Sequence, residues 1–207
     1  HWGATGRNAA KQGRYAGFLS WTGTMFEYFM PNLFLPALKG SASSEALYFC
    51  LYCQRKRAGR RPFGVSESSY NVFDTNGNYS YKAHGVQALG IKCGLDEEYV
   101  ASPYSSFLTL TTALKPSLKN IARFLKLRMY GNYGFYEAVD FTNNKNEQKY
   151  NVVKSCMVHH VGMSFVSVAN VMNWQCMQRR FMRDRTMKGA KNLLEEKIPD
   201  ASKTAAL

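Results

Sequence analysis

The chain has 207 residues, 45% of them hydrophobic and 14% aromatic, and carries a formal net charge of +13. That length supports one domain whose core removes roughly 70% of the unfolded surface from water, and no window reaches the roughly 20 apolar residues of a membrane span. The excess of base invites a nucleic-acid reading. It is spread along the chain, however, and no helix-turn-helix, zinc-finger or RNA-recognition signature goes with it, which argues against that class.

Apolar residues recur at three-and-four spacing over 22–36, 43–58, 97–113, 116–130, 152–173 and 184–197, and this predicts six helices. Strict alternation is rare, so little sheet is expected and the fold class reads as all-α. The second helix stops at Ala58-Gly59, and the basic run Arg55-Lys56-Arg57 is its solvated end. In the fourth, Leu118, Ile121, Ala122 and Leu125 form one stripe with Lys119, Arg123 and Lys126 outside it. Pro116 suits its first turn and Gly131-Asn132 its stop. Pro199 closes the last helix. Residues 59–93 and 131–151 are too long and too aromatic for simple connectors, and loops of that length are often functional. The plan suggests helical hairpins whose loops gather at one end.

Both of those intervals hold a carboxylate suited to glycoside chemistry. Glu67 sits in Phe63-Gly64-Val65-Ser66-Glu67-Ser68-Ser69-Tyr70-Asn71, where hydroxyls are expected to fix its rotamer. Tyr70 and Phe73 are expected to lower the local dielectric and raise its pKa. Glu137 sits in Tyr133-Gly134-Phe135-Tyr136-Glu137-Ala138-Val139-Asp140. Two carboxylates across a glycosidic bond are the minimal machinery, about 5–5.5 Å apart for retention and about 6.5–9.5 Å for inversion. Each has a structural alternative, a Ser-Glu-Ser cap for Glu67 and a helix start for Glu137. Glu27, a turn inside the first helix, is equally compatible with a bond to a neighbouring loop.

His159 and His160 stand side by side in an apolar helix, so they point about 100° apart; one faces the core and the other a cleft. No third ligand stands at metal-site spacing, since His84 and His1 are unsupported as partners; neither metal nor cofactor is expected. The five cysteines, Cys50, Cys53, Cys93, Cys156 and Cys176, include one CxxC but no second to complete a zinc site, and read as buried free thiols in a reducing compartment.

Taken in order, these strings resemble the glycoamylase-like domain of cyclic β-1,2-glucan synthases. Ser20-Trp21-Thr22-Gly23-Thr24-Met25-Phe26-Glu27-Tyr28-Phe29-Met30-Pro31 is similar to its SW(S/T)GTMFEY-MP motif. The likeness continues through Gly64 to Ser68, Asn78-Tyr79 to Gly85, Tyr133 to Asp140, His159-His160 with Gly162-Met163-Ser164, and Met177 to Asp184. The resemblance implies an (α/α) toroid of helical hairpins, here an incomplete (α/α)6 barrel. It also implies a single catalytic domain over residues 1–207, truncated on its N-terminal side and belonging to a larger synthase polypeptide. That start agrees with His1-Trp2-Gly3, which has no signal-peptide pattern. Implied activity is retaining transglycosylation of β-1,2-linked glucan, which closes a ring, with Glu67 as acid/base and Glu137 as nucleophile. Hydrolysis, or a truncated piece that holds glucan without turning it over, are the alternatives. Trp21, Glu27, Tyr28, Tyr70, Asp74, Tyr81, His84, Tyr136, Asp140, His159 and His160 are implied to line the groove. Parent synthases imply a place at the cytoplasmic side of the inner membrane, with no span in this chain. Departures are Gly3 to Gly6, Val161 at a position often held by Gln, and a shortened, Asn-rich stretch within 141–151.

Overall fold

The computed structural model describes residues 8–142 and 149–198; His1-Trp2, most of the Asn-rich stretch and Pro199 lie outside them. The described chain opens on a hairpin of β1 (Ala9–Gln12) and β2 (Tyr15–Phe18), paired from Ala9 opposite Phe18 to Gln12 opposite Tyr15. After α1 (Met25–Phe29) and a 3-10 turn over Pro31–Leu33 comes α2 (Ala42–Ala58). The Ser41 hydroxyl caps α2 by accepting from the Ser44 N–H, and Gly59, at a φ of 59°, ends it. The core gathers on α2. Leu47, Phe49, Cys50, Leu51 and Cys53 are buried on several of its sides, in one cluster with Met25, Phe29, Leu89, Leu108, Phe124 and Met129.

The expected all-α class and (α/α) toroid are overturned. Nine strands in four small sheets stand among the described residues. Those over 67–83 and 134–140 occupy intervals that read as loops, whereas Val100–Ala101 falls within the expected helix 97–113 and Asn151–Val153 at the start of the expected helix 152–173. Within 59–93, β3 (Glu67–Phe73) and β4 (Tyr79–Ala83) form a hairpin with Glu67 opposite Ala83 and Ser69 opposite Tyr81, bulged before Phe73. Its turn runs from Asp74 to Asn78, and Asp74 Oδ1 accepts the N–H groups of Asn76 and Asn78, each at 2.8 Å. Next come β5 (Val100–Ala101), α3 (Pro103–Leu108) and α4 (Leu114–Lys126). β6 (Tyr130–Gly131) and β7 (Gly134–Phe135) pair with each other, and β8 (Ala138–Asp140) lies between β5 and β9 (Asn151–Val153). Strands this short carry too few side chains for alternation to register in the sequence.

Helix α5 (Val158–Met172) follows, then α6 (Cys176–Phe181), α7 (Arg185–Gly189) and a 3-10 segment over Lys191–Glu195. α2, α4 and α5 fall where periodicity predicts them. The faces of α4 and α5 do not. In α4 the inward residues are Ser117, Asn120 and Phe124, and the expected stripe residues Leu118 and Leu125 are exposed. In α5 the inward residues are His160, Ser167 and Asn170, while Val158, Phe165 and Met172 face outward. Buried amides and hydroxyls bonded across the fold decide the orientation: Asn120 donates to the Phe63 carbonyl, Ser167 to that of Phe107 and Asn170 to that of Leu33. No helix among the described residues is long and apolar enough to cross a membrane. Cys50 and Cys53 are buried free thiols as expected, but Cys93 and Cys156 are exposed.

Candidate active site

The segment leading to Glu67 is fixed residue by residue. The buried Asn120 amide accepts the Phe63 N–H at 3.0 Å and donates to its carbonyl at 2.7 Å. Gln54 on α2 treats Val65 the same way, accepting at 3.0 Å and donating at 2.8 Å. Each amide takes the place of a neighbouring strand. Gly64 between them has a φ of 133°, and a Cβ there would stand 2.8 Å from the Ser102 carbonyl oxygen, so only glycine fits. The buried Ser66 hydroxyl accepts the Phe26 N–H at 2.9 Å and lies 2.8 Å from the Tyr104 hydroxyl. Glu67 therefore starts β3 from a rigid base.

Its carboxylate is held by neither neighbouring hydroxyl, since Ser68 Oγ and Ser69 Oγ are buried with no hydrogen-bond partner among the described residues. Instead the Tyr81 hydroxyl donates to Glu67 Oε2 at 3.2 Å across the hairpin. The same hydroxyl lies 3.4 Å from His160 Nε2 and 3.5 Å from His159 Nε2. On its other side His160 Nδ1 lies 2.8 Å from Glu137 Oε1, which also receives the Ser69 N–H at 3.4 Å. Glu67, Tyr81, His160 and Glu137 thus form one hydrogen-bonded row.

Burial, followed by the nearby charges of Glu67 and Glu137, pushes the Tyr81 phenol well above its ordinary range and keeps it a donor. His159 is exposed on the rim, and burial followed by the neighbouring His160 holds its imidazole below the usual value. The Tyr104 ring stacks on His160 at 3.7 Å and 9°, which locks the imidazole plane. Tyr104 is a site residue that sequence reasoning missed. Ser102-Pro103 marks a helix start, but nothing in the sequence pairs it with His160.

Beside this row lies a cleft of about 300 Å³. Tyr104, Phe107, Phe135, Tyr136, Glu137, His160 and Phe165 are among the residues that line it. Glu137 Oε2 accepts no hydrogen bond from the described residues, so that oxygen is available to whatever enters. Glu67 is not part of the lining and connects to it through Tyr81.

The structure brings together Glu67, Tyr81, Tyr136, Glu137, His159 and His160. The other expected groove residues stand elsewhere. Trp21 is 63% exposed in the loop before α1. Glu27 belongs to the capping box of α1: burial opposes its charge, but bonds from Thr22, Thr24 and Ser20 prevail and hold its carboxyl below the usual range. Tyr28 donates inward to the Phe18 carbonyl at 2.7 Å. Tyr70 packs edge-on against His84, and Phe73 stacks on Tyr79, so neither surrounds Glu67 as expected. Asp74 shapes the hairpin turn. His84 is buried against Glu98, Nδ1 to Oε2 at 3.0 Å, and burial pulls its imidazole down to about 4 against the pull of that carboxylate. Asp140 receives the N–H groups of Asn71 at 3.0 Å and Thr142 at 2.8 Å, tying β3 to β8. Among the described residues no three His, Cys, Asp or Glu side chains converge as a metal site would require.

The Glycoamylase family model ("Putative glucoamylase") matches residues 1–185, and the chain belongs to that family. It is 36% identical over 204 residues to the cyclic beta-(1,2)-glucan synthase NdvB of Rhizobium meliloti (strain 1021), an alignment covering 96% of this chain and 7% of the synthase. Among solved structures it is similar to an endo-beta-1,2-glucanase from Chitinophaga pinensis, with a TM-score of 0.64 and 16% identity over 94% of this chain and 47% of that one. A beta-1,2-glucanase from Parabacteroides distasonis gives a TM-score of 0.55 at 16% identity, over 84% of this chain and 24% of that one. At that identity the likeness is one of fold. The chain spans a small part of the synthase and about half of the first glucanase.

Proposed function

We propose that this chain acts on β-1,2-linked glucan, breaking and remaking glycosidic bonds with retention, with Glu137 as nucleophile and Glu67 as acid/base. The observation that carries the reading is the placement of both glutamates on one hydrogen-bonded row beside an aromatic cleft. Glu137 keeps Oε1 on His160 and the Ser69 N–H and leaves Oε2 for an anomeric carbon. Glu67, partly exposed and held by one phenol, is free to exchange its proton. Aromatic faces such as Tyr136, Phe135 and Phe165 offer flat surfaces to pyranose rings.

In the first step Glu137 attacks the anomeric carbon and Glu67 protonates the departing oxygen; in the second an acceptor hydroxyl loses its proton to Glu67 and displaces Glu137. If the acceptor is the far end of the same glucan, a ring closes; if it is water, the chain is cut. The synthase likeness favours the first outcome. We also place this domain, as the family resemblance implies, within a larger synthase polypeptide at the cytoplasmic face of the inner membrane. The test is intact-mass analysis of Glu67→Gln supplied with a β-1,2-glucoside bearing an activated leaving group. A glycosyl adduct mapping to Glu137 supports the assignment, and an adduct on another residue refutes it.

The exposed apolar faces of α4 and α5 favour a second reading. In it the chain holds glucan and packs against other parts of a longer polypeptide that are needed for turnover.

A further inference from the structure

We propose that Tyr81 relays a proton between His160 and Glu67, so that one concerted shift along the row arms the acid and releases the nucleophile. This rests on the proposed roles of the two glutamates. The row from Glu137 to Glu67 admits two complete patterns of donors. In the first, His160 is an imidazolium: Nδ1–H donates to Glu137, Nε2–H donates to the Tyr81 oxygen, and Tyr81 O–H donates to an ionised Glu67. In the second, His160 is neutral and keeps only its Nδ1–H on Glu137. Its Nε2 then accepts from Tyr81 O–H, and Tyr81 accepts from a protonated Glu67.

The two patterns differ by concerted movement of two protons along the row. The His160 Nε2 proton goes to the Tyr81 oxygen, and the Tyr81 proton goes to Glu67 Oε2. The net charge of the row is the same before and after, and no other atom moves far. In the first pattern Glu137 is paired with a cation and its nucleophilicity is damped. In the second Glu67 carries the proton that the leaving oxygen needs, and Glu137 faces only a neutral donor.

The groups that face His160 fit such a store. Glu137 lies at one nitrogen and Tyr81 at the other. The Tyr104 ring face lies over the imidazole at 3.7 Å, and the His159 ring on the same helix lies at 4.0 Å. Both patterns satisfy the same contacts along the row, which is what a shared proton requires. Tyr81 is accordingly a positioning residue that acts through Glu67, and its ring need not touch the sugar.

The test is NMR titration of the Glu67 carboxyl and the His160 imidazole in the whole chain and in Tyr81→Phe, which keeps the ring and removes the oxygen. In the parent both groups are expected to report the same two midpoints, as coupled sites do; in Tyr81→Phe each titrates once, independently. A single His160 step that Tyr81→Phe leaves unmoved would overturn the proposal. In parallel, kcat of Tyr81→Phe at neutral pH is expected to fall roughly 10- to 100-fold with KM within about 2-fold. The alkaline limb should move toward acid, because Glu67 alone no longer draws on the imidazolium. Coinciding limbs would contradict it. Coupled titration without turnover would leave the bridge standing and sink the glucan reading; turnover with independent titrations would do the reverse.

Discussion

Glu137 and His160, 23 positions apart in sequence, meet inside the protein with Oε1 and Nδ1 2.8 Å apart and each side chain only 2% exposed. A buried carboxylate needs such a partner, because an unpaired one would neutralise itself by taking up a proton. The pairing uses one oxygen of Glu137 and leaves the other beside the cleft. Substituting His160 by Leu therefore removes the donor while keeping the bulk. The expected result is loss of turnover by about 100-fold or more, with stability lowered by roughly 3–5 kcal/mol. Urea unfolding and a pH–rate profile of His160→Leu check both parts.

Gln54 is the second place where one side chain holds function in position. Its replacement by Leu leaves the buried N–H of Val65 without a partner, at about 1–3 kcal/mol, while the Val65 carbonyl keeps only the Met25 N–H at 3.3 Å. Stability is expected to fall by roughly 1–3 kcal/mol in Gln54→Leu, and by no less in Gln54→Glu, whose carboxylate would be buried against the Val65 carbonyl. Denaturation midpoints of the two variants measure this.

Gly64→Ala tests the backbone directly. A φ of 133° is outside the range of L-residues, and the new Cβ would press on the Ser102 carbonyl, 2.8 Å away. The strain of such a conformation is about 1–3 kcal/mol before the clash is counted. Thermal unfolding is expected to shift down by several degrees, while Gly162→Ala, where a Cβ would meet open space, is expected to cause no comparable loss.

Stability should fall with pH in two stages. The folded value of His84, about 4, lies below its unfolded 6.5, so the folded form prefers the neutral imidazole. Its contribution is complete above 6.5, is lost as pH falls from 6.5 to 4 while the unfolded chain binds the proton, and amounts to about 3 kcal/mol at most. Glu27 has a folded value below its unfolded 4.5, so its contribution is present above 4.5 and is lost as pH falls through the lower folded value. Urea midpoints from pH 7.5 down to about 3 should show both stages, and His84→Gln should shrink the upper one, to which the lowered His159 also contributes, while leaving the lower one in place.

How much of this the sequence discloses depends on where the deciding interaction lies. The capping box at Thr24 and Glu27 is local, and so is the Gly59 stop; both can be read from neighbouring letters. The β3–β4 hairpin had its turn on display in Asp74 and Asn76-Gly77, but seven residues of mixed Ser, Tyr and Asn gave no clean alternation. α5 misleads more deeply. Its apolar residues predict an inward face, yet Ser167 and Asn170 bond inward to the carbonyls of Phe107 and Leu33, 60 and 137 positions away. Those partners outweigh the burial of Phe165, and no periodicity encodes them. The motifs containing Glu67, Glu137 and His160 were visible as strings. That Tyr81 joins them, whereas Asp74 and His84 do not, follows from the hairpin register and the fold.

The most direct test of the central claim is incubation of this chain with linear β-1,2-glucan, with mass analysis of the products beside Glu67→Gln and Glu137→Gln. The account predicts products lighter by one water than linear chains of the same length, present with the parent and lost in both variants. Persistence of those products in either variant would contradict the two-glutamate mechanism, and a folded parent that leaves the glucan untouched would contradict the proposed activity itself.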